Sequence, residues 1–297
     1  MRLRLIGAAA GGGLPQWNCR CENCQAARKR LRSPMTQCSL AFCADGATWY
    51  LINATSDVGA QLARWPELHP AAEMRSTPIR GVFLTDGEID HTLGLLQLRE
   101  GARWTVYATP AVSRLIQENL PLLSALRRYA DVPAVTLLPD APRALCLPGV
   151  EVRLVETGRR LPRYAGAGET VGAVVAVILR DAVSGKRVVF APGVSTLTEG
   201  LREWCAQADA ILFDGTFWSD DELRDLGIGA DTAHAMGHLP VGGCGGSGRW
   251  FAELPARTKL YVHVNNTNPL LDPASRERAW ITSLGLEVGY DGWTMTL

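Results

Sequence analysis

The chain has 297 residues, of which 47% are apolar and 20% charged, and its 30 basic and 30 acidic residues cancel at neutral pH. This length and composition are typical of a globular protein with one large domain or two small ones. Because no net charge creates a long-range field, binding to nucleic acid or to an anionic membrane surface is disfavoured.

Short apolar runs that end at turn-forming residues predict ten strands, over 2–6, 48–53, 79–85, 104–108, 150–155, 171–179, 187–191, 210–214, 259–264 and 286–290. Apolar residues at helical spacing predict helices over 92–98, 110–120, 197–208 and 273–284. Strands that alternate with helices in both halves indicate an α/β fold in which outer helices cover the sheets. No linker or repeat interrupts the chain, so we expect a single domain over 1–297.

Three of the eight cysteines form a C-x-C-x-x-C pattern near the N-terminus, at Cys19, Cys21 and Cys24. Such a loop can direct three thiolates at one zinc ion; a disulfide with a spare thiol is the alternative. Zinc is favoured because disulfides are rare in a reducing cytosol. A cytoplasmic location is expected, since the sequence shows neither a signal peptide nor an apolar run of the ~20 residues that span a bilayer. The other cysteines are expected to be core residues: Cys38, Cys43, Cys146, Cys205 and Cys244.

A second group of possible metal ligands follows the strand over 79–85, where the sequence places Asp86, Glu88, Asp90 and His91. Ligands bind at such strand ends in α/β folds. The alternative is an acidic helix N-terminus with an incidental histidine, because carboxylates there complement the helix dipole.

Three later segments favour a single site. Asp214 ends an apolar strand, His238 lies in a Met-Gly-His-Leu-Pro turn, and His263 ends another apolar strand. Acidic and imidazole side chains at the ends of several elements are better explained by one convergent site than by independent coincidences.

The segment Thr-Asp-Gly-Glu-Ile-Asp-His resembles a degraded H-x-H-x-D-H signature of the metallo-β-lactamase superfamily. Within that superfamily, the motifs at 11–24, 214–218, 236–240 and 263–269 are similar to the coenzyme PQQ (pyrroloquinoline quinone) synthesis protein B family. The resemblance covers essentially the whole chain. It implies an αββα sandwich of the metallo-β-lactamase type, one domain with a Cys-rich zinc loop at about 17–24, and a metal site at one edge of the two sheets.

The sequence departs from the superfamily pattern because Asp86 and Glu88 replace its first two histidines. No histidine lies between His91 and His234, so the imidazoles of a two-zinc hydrolase are missing. The residues that match the second metal position are Asp90, His91, Asp214 and His263. Such a mixed set resembles the ligands of non-haem Fe(II) oxygenases, with Zn²⁺ as the alternative metal.

The remaining predicted site residues have less defined roles. His238 is assigned general acid/base or substrate-orienting work. Asp86 and Glu88 are catalytic candidates that bind water or substrate, with hydrogen-bonding support of the ligands as the alternative. His234 is not expected to be a ligand.

The fourth zinc ligand stays open. In zinc-bearing relatives a histidine stands three residues after the active-site histidine, and here that position is Asn266. The fourth ligand is then the Asn266 oxygen, water or another residue, unless His263 itself binds at the cysteine loop.

The family resemblance implies PQQ biosynthesis, in which an Fe²⁺-dependent oxygenase uses O₂ to hydroxylate the tyrosine ring of a Glu–Tyr-derived precursor. The alternatives are a soluble carrier that helps to move PQQ or its precursor toward the periplasm, and a metallo-hydrolase. A small or dipeptide-like partner is therefore expected, and the oligomeric state stays open, with a homodimer as one alternative. The tryptophans and a basic segment are candidates to line its pocket, namely Arg159, Arg160, Arg163 and Tyr164.

Overall fold

Two mixed sheets of seven strands each build the protein in a computed structural model that describes residues 1–71, 73–100 and 103–297. The first sheet has the order β14-β1-β2-β3-β4-β5-β6 and contains β1 Arg2–Gly7, β2 Ser39–Cys43, β3 Trp49–Ile52, β4 Ile79–Phe83, β5 Thr105–Ala108, β6 Ala134–Thr136 and β14 Thr294–Thr296. The second has the order β13-β12-β11-β10-β9-β8-β7 and contains β7 Leu145–Leu147, β8 Val150–Arg160, β9 Glu169–Asp181, β10 Arg187–Ala191, β11 Ala210–Asp214, β12 Thr258–Val262 and β13 Glu287–Val288.

The helices are α1 Glu22–Arg28, α2 Val58–Arg64, α3 Ile89–Thr92, α4 Pro110–Arg114, α5 Leu122–Leu126, α6 Glu199–Ala206, α7 Glu222–Asp225, α8 Ser247–Glu253 and α9 Arg276–Ser283. No helix in the described part of the chain is both long enough and apolar enough to cross a bilayer.

Alternation along the strands sets the layers, because successive side chains of a strand point to opposite faces. In β2, Leu40 and Phe42 belong to the core that the two sheets share, whereas Ala41 and Cys43 face the outer core. That outer core lies under α2, α4 and α5. On the second sheet, α8 packs Phe251 beside Phe213, with ring centres 5.3 Å apart. Helices thus cover both sheets, which confirms the αββα sandwich.

Several local predictions differ from the structure. The helix predicted over 92–98 begins earlier: α3 starts at Ile89, and a 3₁₀ segment follows over Leu93–Leu98. Asp90 and His91 therefore lie in the helix and not before it. The strand β2 was not predicted, because both its faces are buried and its sequence shows no alternation of apolar and polar residues. The sequence Gly-Gly-Cys-Gly-Gly-Ser-Gly at 242–248 predicts a flexible turn, whereas in the structure α8 already begins at Ser247.

The prediction for the scattered cysteines is correct in part. Cys38, Cys43 and Cys205 are buried, whereas Cys146 and Cys244 are exposed. Cys146 lies on β7, an edge strand of the second sheet, and Cys244 lies in the glycine-rich turn before α8. Both positions are at the surface of the protein.

Candidate metal and catalytic site

The carboxyl ends of β4, β11 and β12 deliver the predicted site residues to one edge of the sandwich. Asp86 follows β4, and the next turn places Asp90 and His91 on α3. Asp214 is the last residue of β11, and His263 comes directly after β12. β11 and β12 are parallel neighbours in the second sheet, so their carboxyl ends lie side by side. β4 belongs to the first sheet, and the packing of the two sheets face to face brings its carboxyl end to the same edge.

The backbone of His263 is unusual. Its φ of 57° lies in the left-handed region, which costs a residue with a side chain roughly 1–2 kcal/mol. Such strain persists where the surrounding structure fixes the residue, and it is concentrated at functional sites. His263 is also buried. The chain therefore turns sharply at the end of β12 to aim this imidazole at Asp90.

Asp90, His91 and His263 form a cluster in which one atom of each side chain lies within 4.8 Å of the others. His263 Nε2 is 3.3 Å from Asp90 Oδ2, and His91 Nε2 is 3.9 Å from the same oxygen. Two imidazoles and one carboxylate that converge in this way match the facial triad of non-haem iron sites.

The hydrogen bonds of His91 leave its Nε2 atom available for a metal. A carboxylate only accepts, so Nδ1–H donates to Asp86 Oδ2 at 2.7 Å. The Nε2 atom is buried and has no hydrogen-bond partner among the described residues. A carboxylate behind a metal-binding histidine fixes its tautomer in this manner. The donor set therefore fits a metal ion, and this orphaned nitrogen is the observation that supports the fit.

A relay through Thr216 orients His263 in the same way. The Thr216 hydroxyl donates its one hydrogen to Asp214 Oδ1 at 2.6 Å. Its oxygen is then an acceptor for His263 Nδ1–H, at 2.7 Å. Neutral His263 with its proton on Nδ1 has a lone pair on Nε2, which can bind a cation in place of the 3.3 Å contact with Asp90 Oδ2. Thr216 was not singled out in the sequence; its position two residues after Asp214 is the signal that would have identified it.

Asp214 is fully buried and makes hydrogen bonds through both oxygens. Oδ1 accepts from the Thr216 amide and hydroxyl, and Oδ2 accepts from the Val194 amide at 2.8 Å and from His238 Nδ1 at 2.7 Å. These four bonds use the acceptor capacity of a carboxylate. Asp214 also forms a cluster of possible ligands with His238 and His263. Its role as a metal ligand stays a prediction, and binding a cation would displace one of these bonds.

The carboxylates dominate the electrostatics of the site. Burial would lower the pKa of His91, but Asp86 and Asp90 outweigh it and raise that pKa to about 9. Burial opposes ionisation of Asp90, yet its neighbours His91 and His263 lower its pKa. A metal cation would replace the proton of His91 in this negative environment, so binding would release a proton.

The other predicted catalytic residues lie at the same site. His238 is largely buried, and although burial lowers its pKa, Asp214 outweighs that effect and raises it. Asp86 accepts from His91 and from the Glu88 amide, so it supports a ligand. Glu88 lines the cavity, where partial burial of its carboxyl group and the charges of Asp86 and Asp90 raise its pKa to about 7.

A cavity of about 360 Å³ opens in front of the cluster. Its wall includes Arg160, Arg163 and Tyr164 of the predicted basic segment, together with Phe217. Arg159 is exposed and pairs with Glu156 instead. No tryptophan of the described residues lines the cavity, and His234 lies outside the cluster, where it pairs with Asp220.

The glycine-rich segment before the cysteine loop also borders the cavity. A Cβ atom at Gly11 would lie 3.1 Å from Asp90 Oδ2, which is tighter than ordinary packing. The absence of a side chain thus leaves room for the Asp90 carboxylate. The sequence Ala-Gly-Gly-Gly at 10–13 predicts only a loop-shaping element, and the contact at Gly11 adds a direct role in the site.

The cysteine loop brings three unpaired thiols together, with the sulfur atoms of Cys19, Cys21 and Cys24 within 4.8 Å of one another. Asn266 Nδ2 lies 3.0, 3.5 and 3.3 Å from these sulfurs in turn. Rotation about the last side-chain bond would present the amide oxygen instead, so the four residues fit a zinc ion. His263 lies with Asp90, not at this loop.

Comparison with known proteins is consistent with this geometry. A family model described as a Beta-lactamase superfamily domain matches residues 48–264. Coenzyme PQQ synthesis protein B of Gluconacetobacter diazotrophicus is 41% identical over 307 residues, covering 99% of each chain. The protein of that name from Klebsiella pneumoniae is 38% identical over 303 residues, covering 100% of this chain and 98% of its own.

Solved structures agree. Zn²⁺-bound PqqB from Methylobacterium extorquens superposes with a TM-score of 0.91, at 36% identity, and covers 100% of both chains. A diphosphatase of the PhnP family has a TM-score of 0.70 at 17% identity, covering 100% of this chain and 97% of its own, and supports the fold alone.

Proposed function

Since this chain belongs to the coenzyme PQQ synthesis protein B family, we propose that it acts in PQQ biosynthesis as a metal-dependent oxygenase. Its substrate is a precursor derived from Glu–Tyr, and its product carries a further hydroxyl on the tyrosine ring. The observation that carries the proposal is the convergence of Asp90, His91 and His263 with a buried, unpartnered His91 Nε2.

The donor set supports the choice of Fe²⁺ as the proposed metal. Two imidazoles and a carboxylate favour Fe²⁺ with open positions, and Zn²⁺ is the alternative. A second metal lacks imidazoles, because the positions of the first two superfamily histidines are taken by Asp86 and Glu88. Asp86 is already engaged by His91, which further supports a single ion. When bound, Fe²⁺ would supply the activation of O₂ for hydroxylation.

The protein residues divide the remaining work. Asp86 holds His91, and Thr216 holds His263, so both Nε2 atoms are oriented before a metal arrives. With Nδ1 bound to Asp214, His238 directs Nε2 toward the cavity, where it can take or return the proton of the substrate phenol. Glu88, with a pKa of about 7, is the second group able to exchange a proton near neutral pH.

The stoichiometry of hydroxylation defines what else the reaction needs. One atom of O₂ replaces a hydrogen on the ring as a hydroxyl, and the other leaves as water. The balance takes two protons and two electrons, so an external two-electron reductant is required.

The cysteine loop is proposed to bind a structural Zn²⁺ through Cys19, Cys21, Cys24 and the Asn266 oxygen. The loop already contacts the segment after His263, because the Asn23 amide donates to the Asn266 and Asn268 carbonyls at 2.9 Å. The zinc would therefore hold the segment that fixes the strained His263 backbone.

One experiment tests the proposed activity. Purified protein is loaded with Fe²⁺ under nitrogen and mixed with Glu–Tyr peptide and a reductant, and ¹⁸O₂ is then admitted. We expect one labelled oxygen in the peptide by mass spectrometry, and loss of that product in Asp90→Ala and His91→Ala. His69→Ala, an exposed histidine outside the site, is the control and should retain the product.

Unchanged peptide that stays bound would indicate the carrier role instead, and a cleaved peptide would indicate a hydrolase. Either result contradicts the oxygenase.

A further inference from the structure

One cation in the cavity wall, Arg160, forms no ion pair with the residues that the structure describes. Arg160 is the last residue of β8 and is half-buried. Its neighbours are neutralised, since Arg159 pairs with Glu156 and Arg163 pairs with Asp231. Glu169 lies opposite Arg160 in the β8–β9 ladder, yet no carboxylate of the described residues lies within ion-pair distance of Arg160. A guanidinium that is partly withdrawn from water without a counter-ion is suited to an anionic ligand.

The two ends of the cavity differ in charge because Arg160 lies at the end away from the proposed metal position. Acidic side chains and imidazoles surround the proposed metal position. Arg160 lies where the cavity meets a second, open groove, whose lining shares Arg160, Arg163, Ser195 and Gly237 with it. The described residues that line the groove include three arginines, Arg159, Arg160 and Arg163, and one carboxylate, Glu169, whereas Asp86, Glu88 and Asp90 all lie at the metal end. The groove is therefore the more basic end of the cavity.

The surface between these ends suits an aromatic ring. Phe217 is a buried residue of the cavity wall, and the Tyr164 ring is held in place by its hydroxyl, which donates to the Gly87 carbonyl at 2.6 Å. A volume of about 360 Å³ lies within the usual range of small-molecule sites and leaves room for an aromatic ring.

We propose that the Arg160 guanidinium binds a carboxylate of the substrate and thereby holds the aromatic ring toward Asp90, His91 and His263. The substrate class is an aromatic amino acid derivative with a free carboxylate at the groove end. This inference rests on the proposed function for the choice of a tyrosine peptide as ligand. The carboxylate comes from either the C-terminus or the glutamate side chain, and both present the same chemistry to Arg160.

Binding measurements on the Fe²⁺-loaded protein under nitrogen test the role of Arg160 without turnover. The ligands are Glu–Tyr, its C-terminal amide and Gln–Tyr, so that each of the two carboxylates is removed in turn. Calorimetry gives the dissociation constants for the wild type, Arg160→Gln and Arg160→Lys. The control is Arg153→Gln, because Arg153 also lies on β8 but hydrogen-bonds the Ala141 carbonyl away from the cavity.

We expect the wild type to bind one of the two masked peptides about tenfold or more weakly than Glu–Tyr. Arg160→Gln should bind Glu–Tyr more weakly than the wild type by the same factor, and it should bind Glu–Tyr and that masked peptide equally. The dissociation constant of Arg160→Lys for Glu–Tyr should lie between those of the wild type and Arg160→Gln. Arg153→Gln should match the wild type. Melting curves should coincide, because Arg160 makes no ion pair that the substitution removes.

The proposal is overturned if the wild type binds all three peptides equally or not at all. It is also overturned if Arg160→Gln weakens Glu–Tyr and both masked peptides by the same factor, which indicates a role in shape alone. Arg160-dependent binding without any labelled product would remove the oxygenase proposal while leaving the carboxylate site intact.

Discussion

His91 Nδ1 lies 2.7 Å from Asp86 Oδ2, so a carboxylate now supports an imidazole at the position where the superfamily signature has its first metal-binding histidine. At the position of a signature histidine, this chain thus has the hydrogen-bond partner of His91, which is itself a proposed metal ligand. This relationship explains how a site with few histidines can still be strongly oriented for one cation.

Asp86→Asn should weaken metal binding. An asparagine amide can donate to His91 Nδ1, which would move the imidazole proton to Nε2 and block the proposed ligand atom. Loss of such a supporting carboxylate typically costs about 10–100-fold in metal affinity. Competition with a chromophoric chelator measures the change. Asp220→Asn, which alters the equivalent pair with His234 outside the site, should leave the affinity unchanged; an unchanged affinity in Asp86→Asn would show that Asp86 does not set the tautomer.

Thr216→Val should uncouple His263 from Asp214. The valine has a similar shape but leaves buried hydrogen-bonding groups without partners, which costs about 1–3 kcal/mol of unfolding free energy. Metal affinity should fall as well, because the His263 tautomer is no longer fixed. Thr216→Ser restores the hydroxyl and should recover both quantities. Denaturant unfolding with a chelator titration provides the two readouts, and a loss of stability with full metal affinity would contradict the relay.

Asn266→His should strengthen zinc retention at the cysteine loop. The change converts three thiolates and an amide into a Cys₃His set, which zinc prefers. Metal analysis after dialysis against a chelator should find about one zinc retained for longer than in the wild type, and Asn266→Ala should lose it sooner. Equal retention in all three proteins would show that residue 266 is not the fourth ligand.

Glu222 should make stability depend on pH. Burial raises its pKa from 4.5 to about 7, although Thr267 and the Trp218 amide donate hydrogen bonds to it. Because the folded pKa is the higher one, its stabilising contribution is complete below pH 4.5 and is lost as the pH rises through 7. The loss approaches about 3 kcal/mol above that range.

Glu222→Gln removes this titration, so its unfolding free energy should decline less between pH 5 and 8 than that of the wild type. Urea unfolding at several pH values measures the slope. Glu253→Gln, at an exposed position on α8, serves as the control and should keep the wild-type slope. Identical slopes in Glu222→Gln and wild type would mean that Glu222 is ionised in the folded protein at all these pH values.

The elements that end at the site could be predicted because apolar strands followed by Asp86, Asp214 and His263 are visible as local patterns. Thr216 could have been found from its position two residues after Asp214, but its bond to His263 was not predictable, since that contact depends on β11 and β12 lying side by side. The same holds for Val194, whose amide reaches Asp214 only through the folded turn after β10. Local sequence patterns predict where strands end, whereas the contacts between those ends depend on how the strands pair in the sheet.

The length of the β8–β9 hairpin also escaped prediction. The apolar signals end at Val155 and begin again at Val171, but pairing continues to Arg160 and Glu169. Polar residues replace apolar ones there because this part of the hairpin leaves the shared core and borders the cavity. A pattern based on burial therefore stops where the hairpin reaches the ligand space.

Because of that hairpin, the residues that contact the ligand lie on other elements than the residues proposed to hold the metal. The groups proposed to hold the metal come from α3 and the end of β12, whereas the groups that meet the far end of a ligand come from β8 and the segment that follows it. Substitutions at the hairpin tip can thus change which molecules are accepted while the reactive centre stays as it is. Substrate specificity can therefore change during evolution while the metal site is kept.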